Sequence, residues 1–218
     1  MLSGNFFGTH DYFAFLIAAI ALNILPGQDS LYILGRSLSQ GRTAGIVSML
    51  GVGSGCLVHI TAAALGLYAV LALWPLAFTT ITILGALYLI WLGISTWVKR
   101  KEHLTGVACS GGPESPWVIY RQGFLTNLLN PKVALFFIAF LPSFIDPGTP
   151  YGPFSFLFLG CTFLFTGTVW CLVLVLGASA FAGALRHNPR IQAGFDLFAS
   201  SVFILLGIGI FVTHIGGG

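Results

Sequence analysis

Two charges stand inside long hydrophobic runs. Asp29 follows Asn23-Ile24-Leu25-Pro26-Gly27-Gln28, and Lys132 follows Asn130-Pro131. A charge at bilayer depth costs at least about 3 kcal/mol, so it finds a partner or faces a cavity. Asp29 lies seven residues from Arg36 and Lys132 eleven from Arg121, about 10 and 16 Å along a helix, which puts the two at comparable depth. The spacing predicts an Asp29–Lys132 pair. The alternative is a Lys132 that snorkels to the surface and an Asp29 that caps a helix start. Proline removes a backbone N–H and clashes with the preceding turn, and the freed backbone groups are tolerated in a membrane only against protein or a wet cavity. Gly27 precedes a new helical segment carrying Gln28 and Asp29 in its first turn, and Asn130 with Pro131 suits an N-cap and first helical position. Two half-helix N-termini aimed inward suit a carboxylate, and Asp29 suits an ammonium. As chemistry alone, a small zwitterion fits.

These residues need elements to hold them, and the composition says which. Of 218 residues only 7% are charged and 56% are hydrophobic, with mean hydropathy +0.94. Soluble domains carry roughly 25% charge, so a water-soluble enzyme, a disordered chain and a nucleic-acid binder are all excluded. Six stretches reach the roughly 20 apolar residues of a spanning helix: 12–34, 43–67, 74–98, 123–145, 154–178 and 194–214. Their connectors carry most of the Arg, Lys and Pro. Arg36, Arg42, Lys99, Arg100, Lys101, Arg121, Arg186 and Arg190 all fall on odd-numbered connectors, and the other face has no basic residue. The positive-inside rule puts the odd connectors in the cytoplasm and both termini outside. The N-terminus has no Lys or Arg before its first apolar run, so a cleaved signal peptide is not expected. Trp74, Trp97, Trp117 and Tyr151 suit the interfacial belt.

The expected fold is an all-α membrane protein, one transporter domain over residues 1–218. Halves 1–98 and 121–218 are joined by a Gly/Ser/Pro-rich cytoplasmic linker at 99–120. Three helices per half make the repeats inverted, with helices 1 and 4 both interrupted at proline. Paired interruptions in corresponding helices point to a transport site, although ordinary proline kinks would look the same.

The stretches ALNILPGQDSLYILGRSLSQGRTAG and RQGFLTNLLNPKVALFFIAFLPSFIDP resemble the two signatures of the LysE/RhtB family of amino-acid exporters. GVGSGCLVHITAAALGL and LGALYLIWLGISTW resemble its second and third helices. The resemblance implies a secondary transporter of the bacterial cytoplasmic membrane that exports small amino acids or derivatives, with protons entering in exchange. It assigns Asn23, Pro26, Gly27 and Asp29 to the family's first break and Asn130, Pro131 and Lys132 to its second. Gln28 stands where the family usually has a second proline. Asn127, in the second signature, counts with these residues as a binding or coupling candidate.

His59, the one histidine deep in a span, could carry the coupling proton or be a structural, hydrogen-bonded group. Gly45, Gly51, Gly53 and Gly55 read chiefly as close-packing positions, with Gly51 and Gly55 on one face. The hydroxyls of Ser155, Thr162, Thr166 and Thr168 line a path or bond their own backbone. Cys56, Cys109, Cys161 and Cys171 have neither redox nor metal spacing, and three of them lie in apolar runs as packing residues. No catalytic residue, metal or cofactor is expected. The partners are an amino acid, protons and the lipid bilayer, without nucleic acid, and a homo-oligomer is compatible with the sequence. The rival reading is a facilitator or an ion or metal efflux channel without proton coupling. A thiol redox protein lacks a cysteine pair at the breaks, and an intramembrane hydrolase lacks its motif.

Overall fold

A bilayer offers backbone N–H and C=O groups no partners, so a spanning chain must satisfy them within helices. The structure, a computed structural model, describes residues 5–25, 27–67, 75–98, 114–146, 148–178 and 189–215. Among these there is no β-strand, only isolated bridges pairing Thr9 with Phe6 and Ile145. Pro26, Trp74, Cys109, Arg186, the basic cluster Lys99–Lys101 and nearly all of the expected linker lie outside the described residues.

Helix α1 spans Tyr12–Ile24. It stops where Leu25 takes φ −59°, ψ 117°, the extended conformation that a following proline imposes on its predecessor. Gly27 is also extended, and the helix Gln28–Ala62 begins after it. At 35 residues this helix would be about 52 Å long if straight. It is not straight, because Gly41 adopts φ 85°, ψ 179°, a backbone region that residues with a Cβ rarely enter. Residues 37 and 45 would be about 12 Å apart in a continuous helix, yet a Cβ built on Gly45 would collide with Ser37 Oγ and lie 3.1 Å from Ser37 Cβ. The chain therefore turns back on itself at Gly41. We call residues 28–40 α2 and residues 42–62 α3; α3 ends in a π-helical turn, Ala63–Leu67.

Helix α4 is Pro75–Val98. Helix α5, Pro116–Leu128, starts from the N-cap Ser115 with proline in its first turn. It thus begins inside the stretch expected to be linker and seven residues before the expected start of the fourth span. After Leu129 and Asn130 comes α6, Pro131–Leu135, which runs on through a π turn, Phe136–Phe140, and a 3-10 turn, Leu141–Phe144. The axes on either side of this break differ by 44°. Helices α7, Pro153–Leu176, and α8, Pro189–Ile215, complete the order. By length and hydropathy, 153–176 is long and apolar enough to cross a membrane, as is 28–67 taken without its reversal at Gly41, and α5 passes the same test together with the bent Pro131–Phe144 segment. The described part is an all-helical, multi-pass membrane protein.

Three contacts assemble these helices. Phe15 of α1, Phe136, Phe140 and Phe144 after the second break, and Phe163 of α7 form a buried aromatic core, with Phe136 and Phe163 ring centroids 4.8 Å apart. Helices α3 and α5 cross backbone to backbone. A Cβ on Gly51 would strike the Tyr120 carbonyl, one on Gly55 would lie 2.8 Å from the Phe124 carbonyl, and one on Gly123 2.7 Å from the Ser48 carbonyl. Small residues make this approach possible. Helix α4 packs on α8 in the same way, through Gly93 against Ile204 and Gly207 against Ile90.

Two polar knots lie at either end. Near the basic end, Arg36 is buried, 6% exposed, and its Nη2 donates to Glu114 Oε2 (2.8 Å) and Gln122 Oε1 (2.6 Å). Tyr32 donates to the Ile119 carbonyl at 2.8 Å, and Glu114 N donates to Gln40 Oε1 at 3.0 Å. This clasp ties α2 to the start of α5. At the other end, His10 Nδ1 meets Asp146 Oδ1 at 2.9 Å, and Ser155 donates to the Phe7 carbonyl, holding the N-terminal segment over the start of α7.

Candidate functional site

The two broken helices meet. Asp29, in the first turn of α2, turns Oδ2 toward the second break, where it accepts hydrogen bonds from Asn127 Nδ2 (2.9 Å) and Asn130 Nδ2 (3.0 Å). Both asparagines are buried. Asn130 is also the N-cap of α6, its Oδ1 accepting from Lys132 N at 3.0 Å. One asparagine thus fixes both the start of α6 and the orientation of Asp29.

Lys132 reaches the opposite way. Its Nζ donates to the Leu22 and Leu25 carbonyls, each at 3.1 Å. These are orphan carbonyls at the end of α1, where the helix dipole also favours a cation. A Cβ on Gly27 would come within 2.9 Å of this Nζ, so glycine here leaves the ammonium its path. The expected Asp29–Lys132 ion pair is not made: the described ion pairs are His10–Asp146 and Arg36–Glu114. The two charges share one recess without touching, and each makes its hydrogen bonds to neutral groups: two amides for the carboxylate, two helix-end carbonyls for the ammonium.

The recess that both charges line opens between α1, α2, α3, α5, α6 and α7. Its cavity volume is about 50 Å³. Among the described residues, two charged groups in it keep an unused valence. Asp29 Oδ1 is buried and accepts no hydrogen bond. An ammonium has three donors, and Lys132 spends two. Because the carboxylate only accepts, Asn127 must turn its amide nitrogen to Asp29, which leaves Asn127 Oδ1 as a further buried acceptor without a partner.

The other expected residues divide. Asn23 lines the recess, but its amide is anchored on α7, donating to Thr166 Oγ1 at 3.0 Å and the Phe163 carbonyl at 3.3 Å. Gln28 is exposed and outside the recess wall, as is Pro131, the first residue of α6. His59 also stands outside the wall. Its Nε2 lies 3.2 Å from the Asn127 carbonyl, which can only accept, so this nitrogen carries the proton. Its ring stacks on Phe137, centroids 6.0 Å apart. Thr162, Thr166 and Thr168 all bond carbonyls of their own helix. Cys56 is buried and faces the recess, Cys171 lines it partly buried, and Cys161 is exposed. Helix α7 lines the recess with Thr168, one of the hydroxyls expected along a path, and also with Leu164, Gly167 and Cys171, which the sequence reading does not single out for the recess. Their one signal was a glycine four residues before a cysteine in an otherwise bulky helix.

Residues 20–214, which include both breaks, match the model of the LysE type translocator family. The chain belongs to this family. As a member it is a membrane translocator of small solutes rather than an enzyme. Among similar proteins is an uncharacterized membrane protein of Vibrio cholerae, 33% identical over 91% of this chain and 95% of its own length. Another is an uncharacterized membrane protein of Pseudomonas aeruginosa, 29% identical over 92% and 94%. A third, from an Enterobacter strain, bears the name leucine efflux protein and is 29% identical over 85% of this chain and 87% of its own. No solved structure matches the chain. In this translocator both helix breaks contribute residues to the one recess.

Proposed function

We propose that this LysE-type chain is a secondary transporter that exports small amino acids or their derivatives across the bacterial cytoplasmic membrane in exchange for protons. The observation that carries the reading is the pair of unused valences of opposite sign in one recess: Asp29 Oδ1, which accepts nothing, and the third N–H of Lys132. An α-ammonium satisfies the first and an α-carboxylate the second, both as charge-assisted hydrogen bonds. Helix α2 adds to the positive side, since no side chain caps its N-terminus. The name of the Enterobacter relative agrees in substrate class. Asp29 is the first candidate for the coupling proton, because a carboxylate that binds either a proton or an ammonium exchanges one for the other. His59, linked to Asp29 through Asn127, is the second.

The accompanying topology is six spans in two inverted three-helix repeats, halves 1–98 and 121–218, with both termini outside. The reversal at Gly41 and the breaks in the first and fourth spans support it. A phosphatase-active C-terminal fusion is the expected result; a fluorescent, phosphatase-inactive one would remove a span.

The transport reading is tested in cells loaded with dipeptides, with and without the protein. Expression should accelerate amino-acid efflux, and a protonophore at fixed internal substrate should abolish the acceleration. Efflux that ignores the protonophore would leave a facilitator. Efflux of no amino acid would refute the reading.

A further inference from the structure

The recess has unlike walls. Its charged and amide groups come from the breaks, on α1, α2, α5 and α6. Its apolar atoms come chiefly from α3 and α7. Met49, Val52, Gly53 and Cys56 line it from α3, and Leu164, Gly167 and Cys171 from α7. Both sets follow helical spacing, so each is a single face. Thr168, on the same face of α7, has its hydroxyl bonded to the Leu164 carbonyl at 2.8 Å. Among the described residues, no carboxylate besides Asp29 lines the recess.

Three glycines line this space, and they differ. A Cβ on Gly27 would meet Lys132 Nζ at 2.9 Å, and one on Gly167 would meet Asn23 Oδ1 at 3.1 Å. Those two glycines make room for polar side chains already in place. A Cβ on Gly53 would meet only Leu164 Cδ1, at 3.8 Å, which is ordinary van der Waals contact. Its neighbours Gly51 and Gly55 are explained by the α5 backbone pressed against them; Gly53 is not. A glycine inside a helix is less stable than alanine unless something requires it, and no group among the described residues does. What a side chain at position 53 would occupy is the apolar lobe of the recess itself.

We infer that Gly53 sets the size limit for the side chain of the transported molecule, and that this side chain is aliphatic and uncharged. The inference rests on the amino-acid reading above: the ammonium and carboxylate engage the polar wall, and the side chain lies between α3 and α7. A second cationic group would meet no further carboxylate there.

The test uses proteoliposomes holding equal concentrations of radiolabelled alanine, leucine and lysine, with initial efflux measured for the wild type, Gly53→Ala and Gly53→Val. The wild type should export leucine and alanine and move lysine at least about tenfold more slowly, in keeping with the 10–200-fold worth of small side-chain differences in a fitted pocket. The leucine-to-alanine ratio should fall stepwise from Gly53→Ala to Gly53→Val, by about 10–200-fold in all. Folding is followed by size-exclusion chromatography. Gly53→Ala, whose methyl needs no displacement, carries the comparison if the valine variant does not fold. Gly51→Ala, which strikes the Tyr120 carbonyl, should lower the yield without moving the ratio. An unchanged ratio in well-folded Gly53 variants overturns the size limit and leaves the amino-acid reading standing. Lysine leaving the wild type as fast as leucine overturns the aliphatic class. No efflux of any amino acid from the wild type refutes the underlying reading, and this inference with it.

Discussion

The recess and the clasp are two answers to the same problem, a charge buried among apolar helices. At the clasp, Arg36 and Glu114 meet directly, and Gln122, Tyr32 and Gln40 close around them. The buried polar atoms left over there, Arg36 Nε and Gln40 Nε2, are donors only. In the recess the opposite charges stay apart, each on neutral partners, and what is left over is of both signs. A clasp whose charges already neutralise each other ties α2 to α5. A recess whose charges are held apart keeps both available to a ligand carrying the complementary pair. The helix breaks make this arrangement possible: each supplies amides or carbonyls to which the charge can bond without meeting its opposite.

The strongest way to break this comparison is Asp29→Asn, which keeps shape and amide-like hydrogen bonding but removes the charge. Losing one partner of a buried charged contact costs about 2–5 kcal/mol, so export per folded molecule should fall about thirtyfold or more while abundance holds. Retained export would remove Asp29 from the substrate site.

Lys132→Met comes next. It strands the Leu22 and Leu25 carbonyls, at about 1.5–3 kcal/mol for each bond to a charged donor, and membrane abundance should drop. Because the two charges do not touch but share one recess and Asn130, Asp29→Asn should restore only part of the lost abundance, with a coupling of about 0.5–3 kcal/mol. Full recovery of abundance in the double variant would show a direct pair after all.

At the clasp, Glu114→Gln leaves Arg36 buried with a neutral partner. Stability in detergent should fall by about 1–3 kcal/mol, read as a lower unfolding temperature, with export per folded molecule changed no more than severalfold. The exchange Arg36→Glu with Glu114→Arg should recover part of it. A thirtyfold loss of export in well-folded Glu114→Gln would erase the contrast between the two regions. The smallest effect belongs to Asp146→Asn. The Asp146 side chain is 50% exposed, and such surface pairs are worth no more than about 1 kcal/mol, so unfolding temperature and export should both stay near wild type.

Much of this was legible from residue types. Asn130-Pro131-Lys132 announces a helix start, and Asn130 caps it as expected. Gly51 and Gly55 lie against α5 as their four-residue spacing suggests, and the threonines of α7 bond their own backbone. Other features were read in the right place with the wrong partner. Formal charge is visible in a sequence and points Lys132 to Asp29, whereas the orphan carbonyls of Leu22 and Leu25 exist only once α1 has ended. Arg36 counted as one more basic connector residue, and its burial against Glu114, 78 residues away, leaves no local trace. Gly53 was grouped with the packing glycines because spacing alone cannot tell a glycine pressed by a backbone from one that faces open space.

The sequence by itself determined that this is a helical membrane protein, where its first and fourth apolar runs break, and which charges lie within them, because hydropathy, proline stereochemistry and the cost of buried charge act over a few residues at a time. Only the tertiary structure decided that the breaks face each other, that Asp29 rests on Asn127 and Asn130 while Lys132 rests on the end of α1, and that α3 and α7 supply an apolar wall. Those outcomes depend on which helices cross closely enough to satisfy one another's buried polar groups, a competition among residues separated by about a hundred positions in the chain.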